Sequence, residues 1–338
     1  MAASYPCTMH EMWSIPWKHR GKERRTIGRN VSEMFQCGGK NMISDKTVPT
    51  IPINFEEYEP TKIDVWDNYI PIGNEKEGLV RAIKNATFPY LIESEKGQGK
   101  TLLVHTICKE NNIALVDESV GSGTRKSDLL GSKEINRDGT AFNLGILPKA
   151  IEVANHFGHA CLYCDEGNAQ DHEIQKWWNR ICDGRKSITA NGKKYKLKPG
   201  CKLAIVWTIN PITYAGVNSM TEDLRSRFIG SVWDYPSSSD LAKVIDWSDI
   251  SHDLVKTPLL QLAQDIHALR TKGDVEYALS IRDIAQFCEY LRQVSAEYPI
   301  PTKCIEIVIS EVILIKYSDP TERELVKVRA NDTFGVNL

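Results

Sequence analysis

Residues 93–101 read Glu-Ser-Glu-Lys-Gly-Gln-Gly-Lys-Thr. Gly97 and Gly99 let the backbone N–H groups around Gln98 approach an anion closely. Lys100 and the Thr101 hydroxyl follow at once, with Leu102 opening an apolar run. That order suits a phosphate chain: amides and a helix start cradle it, the lysine meets its outer phosphates, and the hydroxyl faces Mg²⁺. The full pattern Gly-x-x-x-x-Gly-Lys-[Ser/Thr] asks for a glycine where this chain has Ser94. The loop is therefore an altered match, and its worth depends on what surrounds it.

A phosphate loop needs a strand before it and a helix after it. "PYLIE" (89–93) supplies the strand, and "KTLLVHTICKEN" (100–111) supplies an amphipathic helix. The metal-facing acid should end a second apolar strand, and two runs qualify: "IALVDE", ending at Asp117 and Glu118, and "CLYCDE", ending at Asp165 and Glu166. The first comes directly after the loop helix, and if the chain resembles the additional-strand P-loop ATPases, the next strand in sequence does not neighbour the loop strand. The second comes one helix and strand later, so Asp165 is read as the Mg²⁺ ligand and Glu166 as the base for an attacking water. Asp117 and Glu118 are then an ordinary strand end. A further run, "KLAIVWTINP", ends at Asn210, which either orients that water or merely forms a turn before Pro211. Arginines follow: Arg225 and Arg227 in "EDLRSRF", and Arg282 in "LSIRD". Each alone reads as a solvated surface residue. As an ordered set they suit the stabilisation of charge in phosphoryl transfer, with Arg282 reaching across a cleft.

These residues sit in three regions. Residues 1–60 are irregular, with a basic run "KHRGKERR" (18–25). Residues 61–235 alternate short, continuously apolar strand-like runs with helical patterns, as in a parallel sheet buried on both faces. Residues 236–338 carry helical spacing throughout, in "TPLLQLAQDIHALRTKG", "IRDIAQFCEYLRQVSAEY" and "TKCIEIVISEVILIKYSD". The expected architecture is a three-layer α/β domain followed by a small all-α domain. Composition agrees with a globular chain: 338 residues, 41% hydrophobic, 25% charged, formal net charge −2. That balance gives no whole-chain reason to bind nucleic acid. No apolar run approaches the roughly 18–20 residues of a membrane helix, no secretion signal is visible, and nine scattered cysteines suit reduced thiols. A cytoplasmic protein is expected.

From about Tyr69 to about Gly335 the chain resembles the AAA+ ATPases of the MoxR and dynein-related group, nearest the NorQ/CbbQ-like branch. The likeness rests on "YIPIG" (69–73), the loop, "SDLLGS" (127–132), "GTAFNLGILPKAI" (139–151), "CDEGNAQ" (164–170), "TINPITYAGVNSMTEDLRSRF" (208–228), "SIRD" (280–283) and "KYSDPTERELV" (316–326). It implies a P-loop NTPase fold with a helical lid, ATP and Mg²⁺ as ligands, and a homo-oligomer, usually a hexameric ring. Lys100 and Thr101 match its Walker A residues, Asp165 and Glu166 Walker B, Asn210 sensor 1 and Arg282 sensor 2. Arg227, with Arg225 second, matches the arginine offered to a neighbouring subunit, and Ile72 and Gly73 match the segment lining the adenine. "SITANGKKYKLKPG" (187–200) fits the family's hairpin, with Asn191-Gly192 as its turn.

By resemblance, hydrolysis would remodel or mature a protein partner, often one with a von Willebrand A domain. A nucleic-acid motor of the McrB type and a non-hydrolysing nucleotide-gated scaffold are the alternatives. The chain departs from the pattern at Ser94, at Gly167 where relatives often carry Ile, and in residues 1–60. Cys7, His10, His19 and Cys37 are too irregularly spaced for zinc. Cys161 and Cys164, on one strand, read as core, Trp177 and Trp178 as helix packing, and the lysines at 193–198 as solvated charge.

Overall fold

A computed structural model describes residues 48–338, apart from 67–68, 74, 137–138, 212–217, 249–252 and 299–300. The cysteines and histidines weighed for zinc and the basic run at 18–25 lie outside the described residues. Two 3-10 turns, Phe55–Tyr58 and Pro60–Lys62, precede α1 (Glu75–Asn85). β1 (Tyr90–Glu93) then runs into the glycine loop and α2 (Lys100–Glu110). Next come β2 (Ala114–Ser119), the short α3 (Lys126–Leu130), a hairpin of β3 (Gly131–Asn136) and β4 (Gly139–Leu144), and α4 (Ile146–Phe157). β5 (His159–Asp165), α5 (His172–Cys182) and a second hairpin, β6 (Ser187–Ala190) with β7 (Lys193–Lys196), follow. β8 (Lys202–Ile209), the single turn α6 (Glu222–Arg225) and β9 (Ile229–Val232) complete the α/β part.

Five strands form one parallel sheet in the order β2-β5-β8-β1-β9. Their side chains are apolar on both faces, as the continuous runs require. On β5, Cys161 and Tyr163 join the core beneath α1 and α2, while Leu162 and Cys164 join the core beneath α4 and α5. Helices thus cover both faces, and the two cysteines sit buried on opposite sides of the sheet. β2 lies at the far edge, whereas only β8 separates β5 from β1. The acid pair of β5, not that of β2, therefore opens beside the loop.

Two local expectations need correction. α2 was expected to be amphipathic, yet only Lys109 and Glu110 are exposed. Leu103, Val104, Ile107 and Cys108 pack on the sheet and on α1, so this helix is part of the core. The run at 302–319 does not form one regular helix. α10 (Pro301–Val308) widens into a π turn at Ile309–Ile313 and tightens into a 3-10 turn at Leu314–Lys316. Ile309, Val312, Ile313 and Leu314 are all buried there, a broader arc than one α-helical face presents.

The remaining helices are α7 (Ser238–Trp247), α8 (Asp253–Lys272), α9 (Ile281–Glu297) and α11 (Pro320–Phe334). They enclose a separate core that includes Leu241, Leu262, Ile266, Phe287, Leu291, Ile309 and Val326. α9 starts on a capping box: the Ser280 hydroxyl accepts the Asp283 N–H, and Asp283 accepts the Ser280 N–H (2.8 Å). The β6–β7 hairpin turns through Asn191 (φ 47°) and Gly192 (φ 73°), as a two-residue primed turn requires. No described helix is long and apolar enough to cross a membrane.

Candidate functional site

Because β1, β5 and β8 are parallel neighbours, their carboxyl ends meet at one edge of the sheet, where α/β proteins bind ligands. β1 leads to Ser94, β5 ends at Asp165 with Glu166 next, and β8 is followed by Asn210. α9 faces them and brings Arg282. Asp165, Glu166, Asn210, Arg282 and the loop from Lys96 to Leu102 line one cleft of about 840 Å³, together with Trp66 and Trp247. Gly97 (φ 74°) and Gly99 (φ 80°) take left-handed conformations that suit glycine.

Lys100 folds back against the loop. Its Nζ donates to the carbonyl oxygens of Ser94 (2.9 Å) and Glu95 (2.9 Å), to Ser94 Oγ (3.1 Å) and to Asn210 Oδ1 (3.4 Å). Ser94 is only 2% exposed, and its own hydroxyl donates to Glu95 O (3.1 Å). The residue standing for the missing glycine therefore gives the buried ammonium an acceptor that glycine lacks. Burial lowers the Lys100 pKa to about 8; Asp165 and Glu166 oppose that shift, and Lys96 and Arg282 add to it.

Asp165 is held by one of its oxygens. Oδ1 accepts from the Thr208 hydroxyl, from Tyr163 OH (3.1 Å) and from the Glu166 N–H (3.1 Å). Oδ2 lies 3.4 Å from Thr101 Oγ1, which also meets Tyr163 OH (3.0 Å). Burial first, and the nearby Asp165 second, push the Tyr163 phenol well above its usual range, so it stays protonated. A hydroxyl and a carboxylate oxygen side by side are the hard donors Mg²⁺ favours, with phosphates and water completing its shell. Thr101 and Asp165 fit that ion. No group of three or more His, Cys, Asp or Glu among the described residues forms a metal site of its own.

Glu166 adopts a left-handed backbone (φ 51°), uncommon for a side chain of this kind. Its Oε1 accepts from Asn210 Nδ2 (3.1 Å) and lies 3.8 Å from Lys96 Nζ. Asn210 is clasped in turn by Asn168, which donates to Asn210 O (2.9 Å) and accepts its N–H (3.4 Å). The unusual Gly167 has a local cause. A Cβ there would come within 2.3 Å of the fully buried Trp207 ring, which fills the space a side chain would need.

Arg282 lines the cleft, and its backbone N–H donates to Gly97 O (3.2 Å). Arg225 and Arg227 do not line it. Arg225 pairs with Glu93 (2.9 Å), and Arg227 donates to Asn179 (3.1 Å) and Asp223 (3.0 Å). Ile72 and Gly73 do not line it either. The Ile72 N–H donates to Glu75 (2.5 Å), which also accepts from Tyr69 OH (2.6 Å). Asp117 is bound to His105 (2.8 Å), and Glu118 lies 3.8 Å from Lys149. Sequence reasoning missed Tyr163, Thr208, Trp66 and Trp247. Of these, Tyr163 carried a signal, two residues before Asp165 on the same strand, and Thr208 another, two residues before Asn210; the two tryptophans carried none.

Residues 89–228 match the family model described as AAA domain (dynein-related subfamily), and this stretch of the chain is such a domain. Its relatives include the denitrification regulatory protein NirQ of Stutzerimonas stutzeri. That protein is 25% identical over 236 residues, 69% of this chain and 82% of the relative. NirQ of Pseudomonas aeruginosa is 24% identical over 219 residues, 65% and 82% of the two chains. Among solved structures, a RuvB variant from Thermotoga maritima superposes with a TM-score of 0.47 at 15% identity, covering 80% of this chain and 84% of that one.

Proposed function

We propose that this protein binds ATP with Mg²⁺ and hydrolyses it, working as an AAA+ ring ATPase that remodels or matures a protein partner. One observation carries the reading: Lys100, Thr101, Asp165, Glu166, Asn210 and Arg282 meet in a single cleft. Splitting a terminal phosphate is mostly positioning and charge stabilisation, and this set provides both. The amides around Gln98 and the Lys100 ammonium grip the phosphates, and Lys100 leaves the oxygens of Ser94 and Glu95 to do so. Thr101 and Asp165 would hold the metal ion, which when bound neutralises phosphate charge. Glu166 takes the proton of the attacking water, and Asn210, 3.1 Å away, orients that water.

Arg282 reads the terminal phosphate from the lid, so turnover changes the angle between residues 61–235 and 236–338. Arg227, with Arg225 second, serves the site of a neighbouring copy, since both stand outside their own cleft; a homo-oligomer is then required, and the resemblance makes a hexameric ring the expected form. Relatives named as regulatory proteins support a partner-directed role. A von Willebrand A domain protein is the client class we expect.

Purified protein should turn over ATP with Mg²⁺. Glu166→Gln should still bind ATP while losing about 100-fold or more in rate, the usual contribution of a general base. Wild type without turnover at any concentration that permits assembly would overturn hydrolysis and leave a nucleotide-gated scaffold.

A further inference from the structure

Two tryptophans face the same cleft from opposite bodies. Trp66 precedes α1 and is 58% exposed; Trp247 ends α7 and is 48% exposed. Side chains this large are usually hidden, and here both are spent on one cleft whose floor is the phosphate loop. Trp66 is also placed along the loop helix. Its ring meets His105 edge-on at 5.2 Å, one turn beyond Thr101 and Leu102. A chain of phosphates at Gly97–Thr101 must continue past Leu102 into the rest of this cleft. Ile72 and Gly73, expected beside the base, do not border that space.

We propose that Trp66 and Trp247 are the base-binding residues of this protein, stacking on the two faces of the nucleobase. This rests on the nucleotide reading above and adds to it the residues that recognise the nucleoside end. Aromatic rings bind bases through their π-faces, a contact indifferent to hydrogen-bonding edges. One ring belongs to the α/β body and the other to the lid, so a base held between them ties the two together.

The test uses the full chain and two probes, ATP and inorganic tripolyphosphate, which has the phosphates and no base. ATP should quench tryptophan fluorescence and tripolyphosphate should not, and Trp66→Phe and Trp247→Phe should each remove part of the quench. Trp66→Ala and Trp247→Ala should each weaken ATP binding about tenfold, 1.4 kcal/mol by the usual conversion and within the range for base–aromatic stacking. Both should leave tripolyphosphate affinity unchanged. Equal losses for the two probes, or no loss for ATP, would overturn the stacking role while leaving the phosphate site standing. Wild type that binds neither probe would overturn the nucleotide reading and the base site with it.

Discussion

Raising the pH should weaken ATP binding through one residue, Lys100. In the free chain burial lowers its pKa from 10.5 to about 8. Phosphates favour its charged form, so binding above pH 8 must draw a proton from solution. The charged fraction of the free site falls from about 0.9 at pH 7 to about 0.1 at pH 9, which weakens affinity about tenfold, or about 1.4 kcal/mol. Stability of the free chain has the opposite slope. The unfolded lysine keeps its proton to higher pH than the folded one, so the fold gains stability as pH rises from about 8 towards 10. Titration calorimetry at pH 8.5, in two buffers of different ionisation enthalpy, measures the uptake directly. About 0.75 proton per nucleotide is expected for the wild type, and none for Lys100→Arg, whose guanidinium stays charged. Affinity that is flat to pH 9.5, with no proton uptake, would refute the placement of Lys100 as the buried phosphate contact.

Ser94→Gly should keep turnover within about tenfold, a barrier change of about 1.4 kcal/mol or less, because three other oxygens still receive Lys100. It should also move the fall in ATP affinity to lower pH, since the charged lysine loses an acceptor; a steady-state pH series reads both. Gly167→Ile should destabilise the fold by about 1–3 kcal/mol in denaturant unfolding, the usual cost of overpacking. Adding Trp207→Leu should recover part of that loss, and a neutral single variant would show that Trp207 is not the obstacle. If Arg227 serves a neighbour, mixing Arg227→Ala chains with Lys100→Ala chains should restore turnover that neither has alone. Mixtures as inactive as the parts would place Arg227 in a structural role.

The legible part of the site lay in residues at strand ends. Lys100, Asp165 and Asn210 are each fixed by a local pattern, an apolar run stopped by a particular polar group, and the parallel sheet then brings the stops together. Choosing Asp165 over Asp117 rested on the strand order that the resemblance implies. The illegible part depended on contacts between distant segments. Whether Ser94 damages the loop is decided by where the Lys100 side chain turns, which no spacing records. Gly167 makes sense only with Trp207 of the adjacent strand over it. Trp66 reads as an ordinary residue of a connecting segment until the cleft is formed. The β3–β4 hairpin is equally silent: Ile135 in it is 88% exposed, and its inward alternation is the short one of Phe142 and Leu144 in β4.

Gly97 joins two bodies without clearance. Its carbonyl receives the first turn of α9, and a Cβ on it would come 2.3 Å from Ser280 Oγ. Most contacts between moving parts run through side chains, which can change rotamer and absorb a displacement. This one runs from the backbone of Gly97 to the cap of α9, with no side chain of Gly97 between them. A shift of the loop therefore reaches the start of α9 without a Gly97 rotamer to absorb it. The residue without a side chain makes a direct backbone joint between the loop and the start of α9, and the directness comes from what that residue leaves out.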